Sequence, residues 1–182
     1  MKILITGHTS PIGKVLFEHL SKNHDITGIS RSSGFDLYTD IEKIIELAAE
    51  ADCVINLANV GTTQTKLLYS INKLWKEKNK TGKIISFGSL ITEVKFYLIE
   101  NIEADYDMIA SKLLLEKCHK EITSEKPFGP QPQSILLRLA NYGKKEGFRD
   151  TEPYTSAEQM IKIVDDVLYS DTYISTIDFR EI

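Results

Sequence analysis

The chain has 182 residues, 42% hydrophobic and 26% charged, with a formal net charge of −4, which suits one domain with a proper core and lacks the basic balance of a nucleic-acid binder. No apolar run reaches the length of a membrane span, and the N-terminus reads as a strand instead of a signal peptide. Cys53, Cys118 and the four histidines (His8, His19, His24, His119) show no metal-ligand spacing, so a cytoplasmic protein with free thiols and no metal is expected.

Residues 2–6 (KILIT) are apolar and β-branched, predicting a buried central strand of a parallel sheet. Gly7 ends it. An amphipathic run over 14–20 follows, with Ser10 suited to the N-cap and Pro11 to the first helical position, where a missing N–H costs nothing. Strand, glycine turn and helix start in that order aim free N–H groups and the positive end of the helix dipole at one point, where a pyrophosphate can be held. Gly7 allows the tight turn and Gly13 a close helix–strand approach. Because Pro11 lacks an N–H, phosphate contact falls to the Ile12 N–H and the Ser10 hydroxyl. A ligand-free turn has the same outline.

The chain then alternates short apolar runs with longer helical ones. Strands are predicted at 25–30, 35–37 (very short), 52–59, 82–89, 134–140 and 172–179. Helices are predicted at about 38–50, 62–79, 104–121 and 156–169. A polar connection with prolines over 123–133 is too short to divide domains. This is the βαβ signature: an α/β, Rossmann-type doubly wound, mostly parallel seven-stranded sheet with helices on both faces. One domain spans 1–182, and residues 141–155 are all that is available for a substrate loop.

Thr6, Gly7, Ile12 and Gly13 resemble the TGxxxGIG or TGxxGxxG turn of the short-chain dehydrogenase/reductase superfamily, without its middle glycine. Asn56-Leu57-Ala58-Asn59 resembles in part that family's Asn-Asn-Ala-Gly strand end. Ser89, or Ser86, matches its substrate-orienting serine, and Arg138 to Gly143 is similar to a segment of its extended members. Met108-Ile109-Ala110-Ser111-Lys112 aligns with its YxASK pattern, methionine standing in the tyrosine's place.

The resemblance implies cofactor contacts from Gly7, Ser10, Ile12, Gly13, Arg31, Ser32, Asp36, Asn56, Ala58, Asn59 and Lys112. Asp36 would lie beside the adenine amino group, and the segment from Asn56 to Asn59 against a ribose. Ser89 would orient a substrate oxygen, and Lys112 would hold the nicotinamide ribose and favour proton transfer. At the end of the second strand an acid selects NAD and a base accommodates NADP. Arg31 stands there with Ser32 and Ser33, favouring NADP(H) over NAD(H).

A thioether cannot donate a proton. Tyr106 lies six residues before Lys112, about 120° round a helix from it, and can replace the missing tyrosine only if the helix begins after it. Tyr97, Tyr142 and Tyr154 are other candidates. Plain structural readings stand beside these: a solvated Arg31, an Asp36 turn cap, a strand-end Ser89, a surface Lys112.

The first functional reading is therefore an atypical NADP(H)-dependent oxidoreductase acting on a carbonyl or hydroxyl of a small metabolite, a sugar nucleotide among the options. The alternative is a catalytically inactive NADP(H)-binding sensor or regulatory protein, and a third is an interaction domain whose weakened turn no longer binds a dinucleotide. The resemblance also implies a homodimer through helix 104–120. No nucleic-acid or membrane partner is expected.

Overall fold

The computed structural model describes residues 1–93, 102–124, 131–139, 141–142 and 154–179. Its elements are β1 (Lys2–Thr6), α1 (Pro11–Leu20), β2 (Asp25–Ile29), α2 (Ile41–Glu50), β3 (Cys53–Asn56), α3 (Thr63–Glu77), β4 (Lys83–Ser89), α4 (Ile102–Ser124), β5 (Gln133–Leu139), β6 (Asn141–Tyr142), β7 (Tyr154–Thr155), α5 (Ala157–Tyr169) and β8 (Thr176–Phe179).

Six strands form one sheet in the order β2-β1-β3-β4-β5-β8, every pairing parallel. Alternation along the strands sends Ile3, Ile5, Ile55, Ile85 and Leu137 to one face and Leu4, Val54, Ile84 and Leu136 to the other. The first face is covered by α1 and α5 through Leu16, Leu20, Met160 and Val164. Ile44, Leu68, Trp75 and Leu115 of α2, α3 and α4 cover the second. Burial on both faces is why these strands read as continuous apolar runs. After β2 the chain crosses back over β1 to lay down β3. That reversal opens a crevice at the C-terminal ends of β1 and β3, where doubly wound sheets take their ligands.

Among the described residues the sheet has six strands, where seven were expected. Residues 35–37 are irregular and lead into a turn at 37–39, because two aspartates compete for the N–H groups a ladder would need. Asp36 N–H donates to Asp40 Oδ2 (2.9 Å), and Tyr38 N–H to Asp36 Oδ1 (2.8 Å). Leu37 is buried all the same, which explains the apolar signal. The helix expected from 38 consequently starts at Ile41, and β2 becomes the sheet's edge.

The closing helix α5 begins with a reciprocal cap. Gln159 N–H donates to Ser156 Oγ (3.2 Å), and Ser156 N–H to Gln159 Oε1 (2.8 Å). At its far end Lys83 Nζ donates to the carbonyls of Val167, Leu168 and Ser170 at 2.8, 2.9 and 2.7 Å. A lysine on β4 thus satisfies acceptors that the helix cannot. Near the crevice β6 pairs with β7, Asn141 opposite Tyr154, and joins the ends of the expected substrate loop. Tyr97, residues 143–153 and the side chains of Tyr142 and Tyr154 lie outside the described residues.

Candidate functional site

Gly7 leaves β1 at φ +75°, a conformation open to glycine. Its N–H donates to Ile29 O (2.7 Å) and its carbonyl accepts from Ser10 N–H (2.9 Å). Ser10 then caps α1, its Oγ accepting from Gly13 N–H (3.1 Å) and its carbonyl from Lys14 N–H (2.8 Å). A Cβ built on Gly13 would fall 2.1 Å from the Gly7 carbonyl oxygen, so the helix start rests directly on the turn.

Thr6 Oγ1 accepts from the N–H groups of Leu57 (3.1 Å) and Ala58 (3.2 Å), drawing the loop after β3 onto Gly7. A Cβ at Gly7 would meet Ala58 Cα at 3.1 Å. Gly7, Ser10, Ile12, Gly13 and Ala58 therefore converge at the crevice. The fit to a dinucleotide is chemical as well as spatial. No side chain rises from either glycine, the Ser10 hydroxyl keeps its own proton to donate, and Ile12 N–H has no acceptor among the described residues.

Arg31 and Ser32 sit in a one-turn 3-10 helix behind β2. Ser33 N–H donates to Ser30 Oγ (3.3 Å) and Ser30 N–H to Ser33 Oγ (2.9 Å). Ser32 Oγ is 2.9 Å from Ser30 Oγ. Arg31 is exposed and forms no ion pair with the described residues, which leaves its guanidinium open to an anion. One oxygen of Asp36 serves the Tyr38 turn described above. Asn59 is exposed in the loop after β3.

Lys112 is not a surface lysine. It is 6% exposed, and Nζ donates to Gln64 Oε1 (2.8 Å) and to the Phe87 carbonyl (2.7 Å). Gln64 Nε2 donates to the carbonyls of Asn56 (2.7 Å) and Phe87 (3.1 Å). Asn56 Nδ2 returns a bond to Gln64 O (2.8 Å) and faces Ser86 Oγ at 3.4 Å. The Asn56 side chain, expected against a ribose, is thus fully buried in this network, with Oδ1 lacking a protein partner. Burial pushes the Lys112 amine down from 10.5 to about 8.

Ser89 ends β4 two residues beyond Phe87 and is half-buried. Its Oγ accepts from Ile91 N–H (3.3 Å), and its carbonyl from the Thr92 hydroxyl (2.9 Å). Thr92 is also held by Glu116 Oε1 (2.6 Å), while Arg138 bridges Glu93 (2.7 Å) and Asp178. The turn after Ser89 is thereby tied to α4, β5 and β8.

Met108 is half-buried one turn before Lys112, and Ser111 Oγ donates to its carbonyl (2.7 Å). Tyr106 does not meet its condition. Helix α4 begins at Ile102, ahead of it, and the ring is 59% exposed while Lys112 points inward.

Two residues escaped sequence reasoning. Thr6 was matched to a motif without a role, and Gln64 was read only as part of a helix start. Nothing local in the sequence marks Gln64, whose partners lie 8, 23 and 48 residues away. Among the described residues no cluster of His, Cys, Asp or Glu could hold a metal. No helix there is long and apolar enough to cross a membrane.

Residues 3–81 match the NAD dependent epimerase/dehydratase family. Similar solved structures include a UDP-N-acetylglucosamine 4-epimerase from Bacillus cereus, with a TM-score of 0.73 at 18% identity, covering 100% of this chain and 78% of that one. A wide-type short-chain dehydrogenase/reductase from Veillonella parvula DSM 2008 in complex with NADP gives 0.66 at 17%, over 99% and 94% of the two chains. The protein lin1944 from Listeria innocua gives 0.69 at 14%, over 98% of each. Comparison with curated protein sequences gives no match. The family model thus matches the first part of the chain, residues 3–81, and the solved structures share its fold.

Proposed function

We propose that this short-chain dehydrogenase/reductase-like protein binds NADP(H) across the crevice and acts as an oxidoreductase on a carbonyl or hydroxyl of a small metabolite. One observation carries the reading: the Lys112 amine is held inside the protein at the Phe87 carbonyl, two residues from Ser89. The bound cofactor supplies or accepts the hydride.

The Gly7–Gly13 turn, with the Ile12 N–H and the Ser10 hydroxyl, holds the pyrophosphate. Arg31, with no carboxylate partner among the described residues, takes the 2′-phosphate and selects NADP(H) over NAD(H). Lys112 holds the nicotinamide ribose, and Ser89 orients the reacting oxygen. Met108 has no proton to give and Tyr106 faces outward, so the proton comes from water near Ser89 or from another tyrosine, Tyr97, Tyr142 or Tyr154.

The experiment is titration with NADPH and, separately, NADH, followed by NADPH oxidation with a panel of aldehydes, ketones and sugar nucleotides. Preferential NADPH binding and turnover lost in Lys112→Ala are expected. An unchanged rate in that variant overturns the mechanism.

Met108 favours a second reading, an NADP(H)-binding sensor or regulatory protein without turnover. NADPH binding with no oxidation of any carbonyl would support it. In either case the outward stripe of α4, with Tyr106, Leu113 (41% exposed) and Leu114 (44%), is proposed to pack against a second copy of the chain. The buried free thiols of Cys53 and Cys118 support a cytoplasmic location.

A further inference from the structure

Four chain segments meet at the Gln64 side chain. It leaves the first turn of α3 and is almost wholly buried. Its amide makes three hydrogen bonds, to the Asn56 carbonyl at the end of β3, to the Phe87 carbonyl in β4, and from Lys112 on α4. The orientation of that amide is forced. Lysine only donates and carbonyls only accept, so Oε1 must face Nζ and Nε2 must face the two carbonyls. A reversed amide would set donor against donor at one end and acceptor against acceptor at the other.

We propose that Gln64 is the positioning residue for Lys112: its amide anchors the amine beside the Phe87 carbonyl, in the place where a carboxylate partner would otherwise stand. The inference rests on the reading of Lys112 as the cofactor-facing lysine, and adds the group that sets its location and charge.

Two features of the network support it. The first is coupling to the cofactor loop. Gln64 and Asn56 bind each other's main-chain oxygens (2.7 and 2.8 Å), closing the 57–63 segment that carries Ala58 against Gly7. The residue that fixes the amine therefore also clamps the loop expected to contact the nucleotide. A change at one should be felt at the other.

The second is the neutrality of the amine's partners. Nζ donates to the Gln64 amide oxygen on α3 and to the Phe87 carbonyl on β4, both neutral. On α4 itself the next carboxylate, Glu116, is turned to Thr92 (2.6 Å) and Arg138 (3.9 Å). Among the described residues no ion pair reaches Lys112. Neutral acceptors satisfy the hydrogen-bonding needs of the amine without the strong preference for the ammonium form that an adjacent carboxylate imposes. Burial then acts unopposed and brings the amine to about 8. A glutamate at the same point would hold it as a fixed cation.

The test is a pH titration of the lysine side-chain resonances by carbon-13 NMR, in wild type, Gln64→Glu and Gln64→Met, with the Lys112 signal assigned from its loss in Lys112→Arg. In wild type the Lys112 signal should titrate near pH 8, well below the other lysines. Gln64→Glu should raise that midpoint by more than one unit. In Gln64→Met, which keeps volume and neutrality but loses the anchor, the Lys112 shift should move and NADPH affinity should fall about tenfold.

A Lys112 midpoint that does not rise in Gln64→Glu, with an unchanged Lys112 shift in Gln64→Met, overturns the proposal and leaves Gln64 a packing residue. Should Gln64→Glu fail to fold, the Gln64→Met spectrum alone decides. NADPH titration of the wild type is a separate arm. If wild type does not bind NADPH, the cofactor reading fails while the NMR result on Gln64 still stands or falls by itself.

Discussion

Gly13 sits so close over Gly7 that a methyl group on it would lie 2.1 Å from the Gly7 carbonyl oxygen, far inside van der Waals contact. The obstacle is backbone, not a movable side chain, so Gly13→Ala has to push α1 off the turn. Overpacking of this kind costs about 1–3 kcal/mol. Urea denaturation should show a loss of that size, with NADPH affinity falling further than stability. Gly34→Ala is the comparison for stability alone: its site is open, and its positive φ of 85° costs about 1–2 kcal/mol, so it measures backbone strain without overpacking.

Arg31→Ala separates the two cofactors. A charge-assisted contact to phosphate contributes about 1.5–3 kcal/mol, or roughly 10- to 100-fold in affinity. Calorimetric titration should show NADPH binding weakened by that factor while NADH binding is unchanged. Equal loss for both would mean that Arg31 contacts something other than the 2′-phosphate.

Lys83→Met probes an anchor far from the crevice. The three carbonyls at the end of α5 lose their common donor, and the positive charge that favours a helix C-terminus goes with it. A loss of about 2–3 kcal/mol is expected from hydrogen bonds to a charged group, read as a lower urea midpoint. NADPH binding should be unaffected, because β4 begins at the opposite end of the sheet from Ser89.

His119 gives the fold a pH dependence. Burial, with the Lys120 charge adding to it and a Ser175 hydrogen bond opposing, brings the imidazole down from 6.5 to about 4. Its Nδ1 lies 2.9 Å from Ser134 Oγ, and Nε2 3.2 Å from Ser175 Oγ. Between pH 6.5 and 4 the unfolded chain takes up a proton that the folded chain refuses, so stability falls as the pH drops through that window, by at most about 3 kcal/mol. Melting curves of His119→Gln should lack this component of the acid loss.

The sequence made the parallel sheet legible because β1, β3, β4 and β5 are buried on both faces and read as apolar runs bounded by polar turns. The Gly7-to-Gly13 turn was legible too, since glycine, serine and proline each have a positional meaning there. The strand expected at 35–37 failed because Leu37 signals burial while the deciding bonds come from Asp36 and Asp40 side chains. Gln64 was invisible for a related reason. Its importance lies in three contacts between distant segments, and no periodicity encodes which buried amide will meet which lysine. Tyr106 turned on a helix boundary, the feature a sequence locates least sharply.

Met108 is where the two functional readings part. It stands four residues before Lys112 on α4, so both side chains share a face of the helix, and it is half-buried. Met108→Tyr would place a phenol beside an amine that burial has brought to about 8, and a nearby ammonium lowers a phenol's pKa. If the native protein is an oxidoreductase using water as its proton source, the variant should speed NADPH-dependent carbonyl reduction by about 10²-fold or more, the usual contribution of a positioned acid. If it is a binding protein, the variant should convert no carbonyl measurably, because substrate-orienting groups have to be in place before a proton donor helps. Steady-state NADPH oxidation in wild type and variant, each with Lys112→Ala as its background control, decides between them.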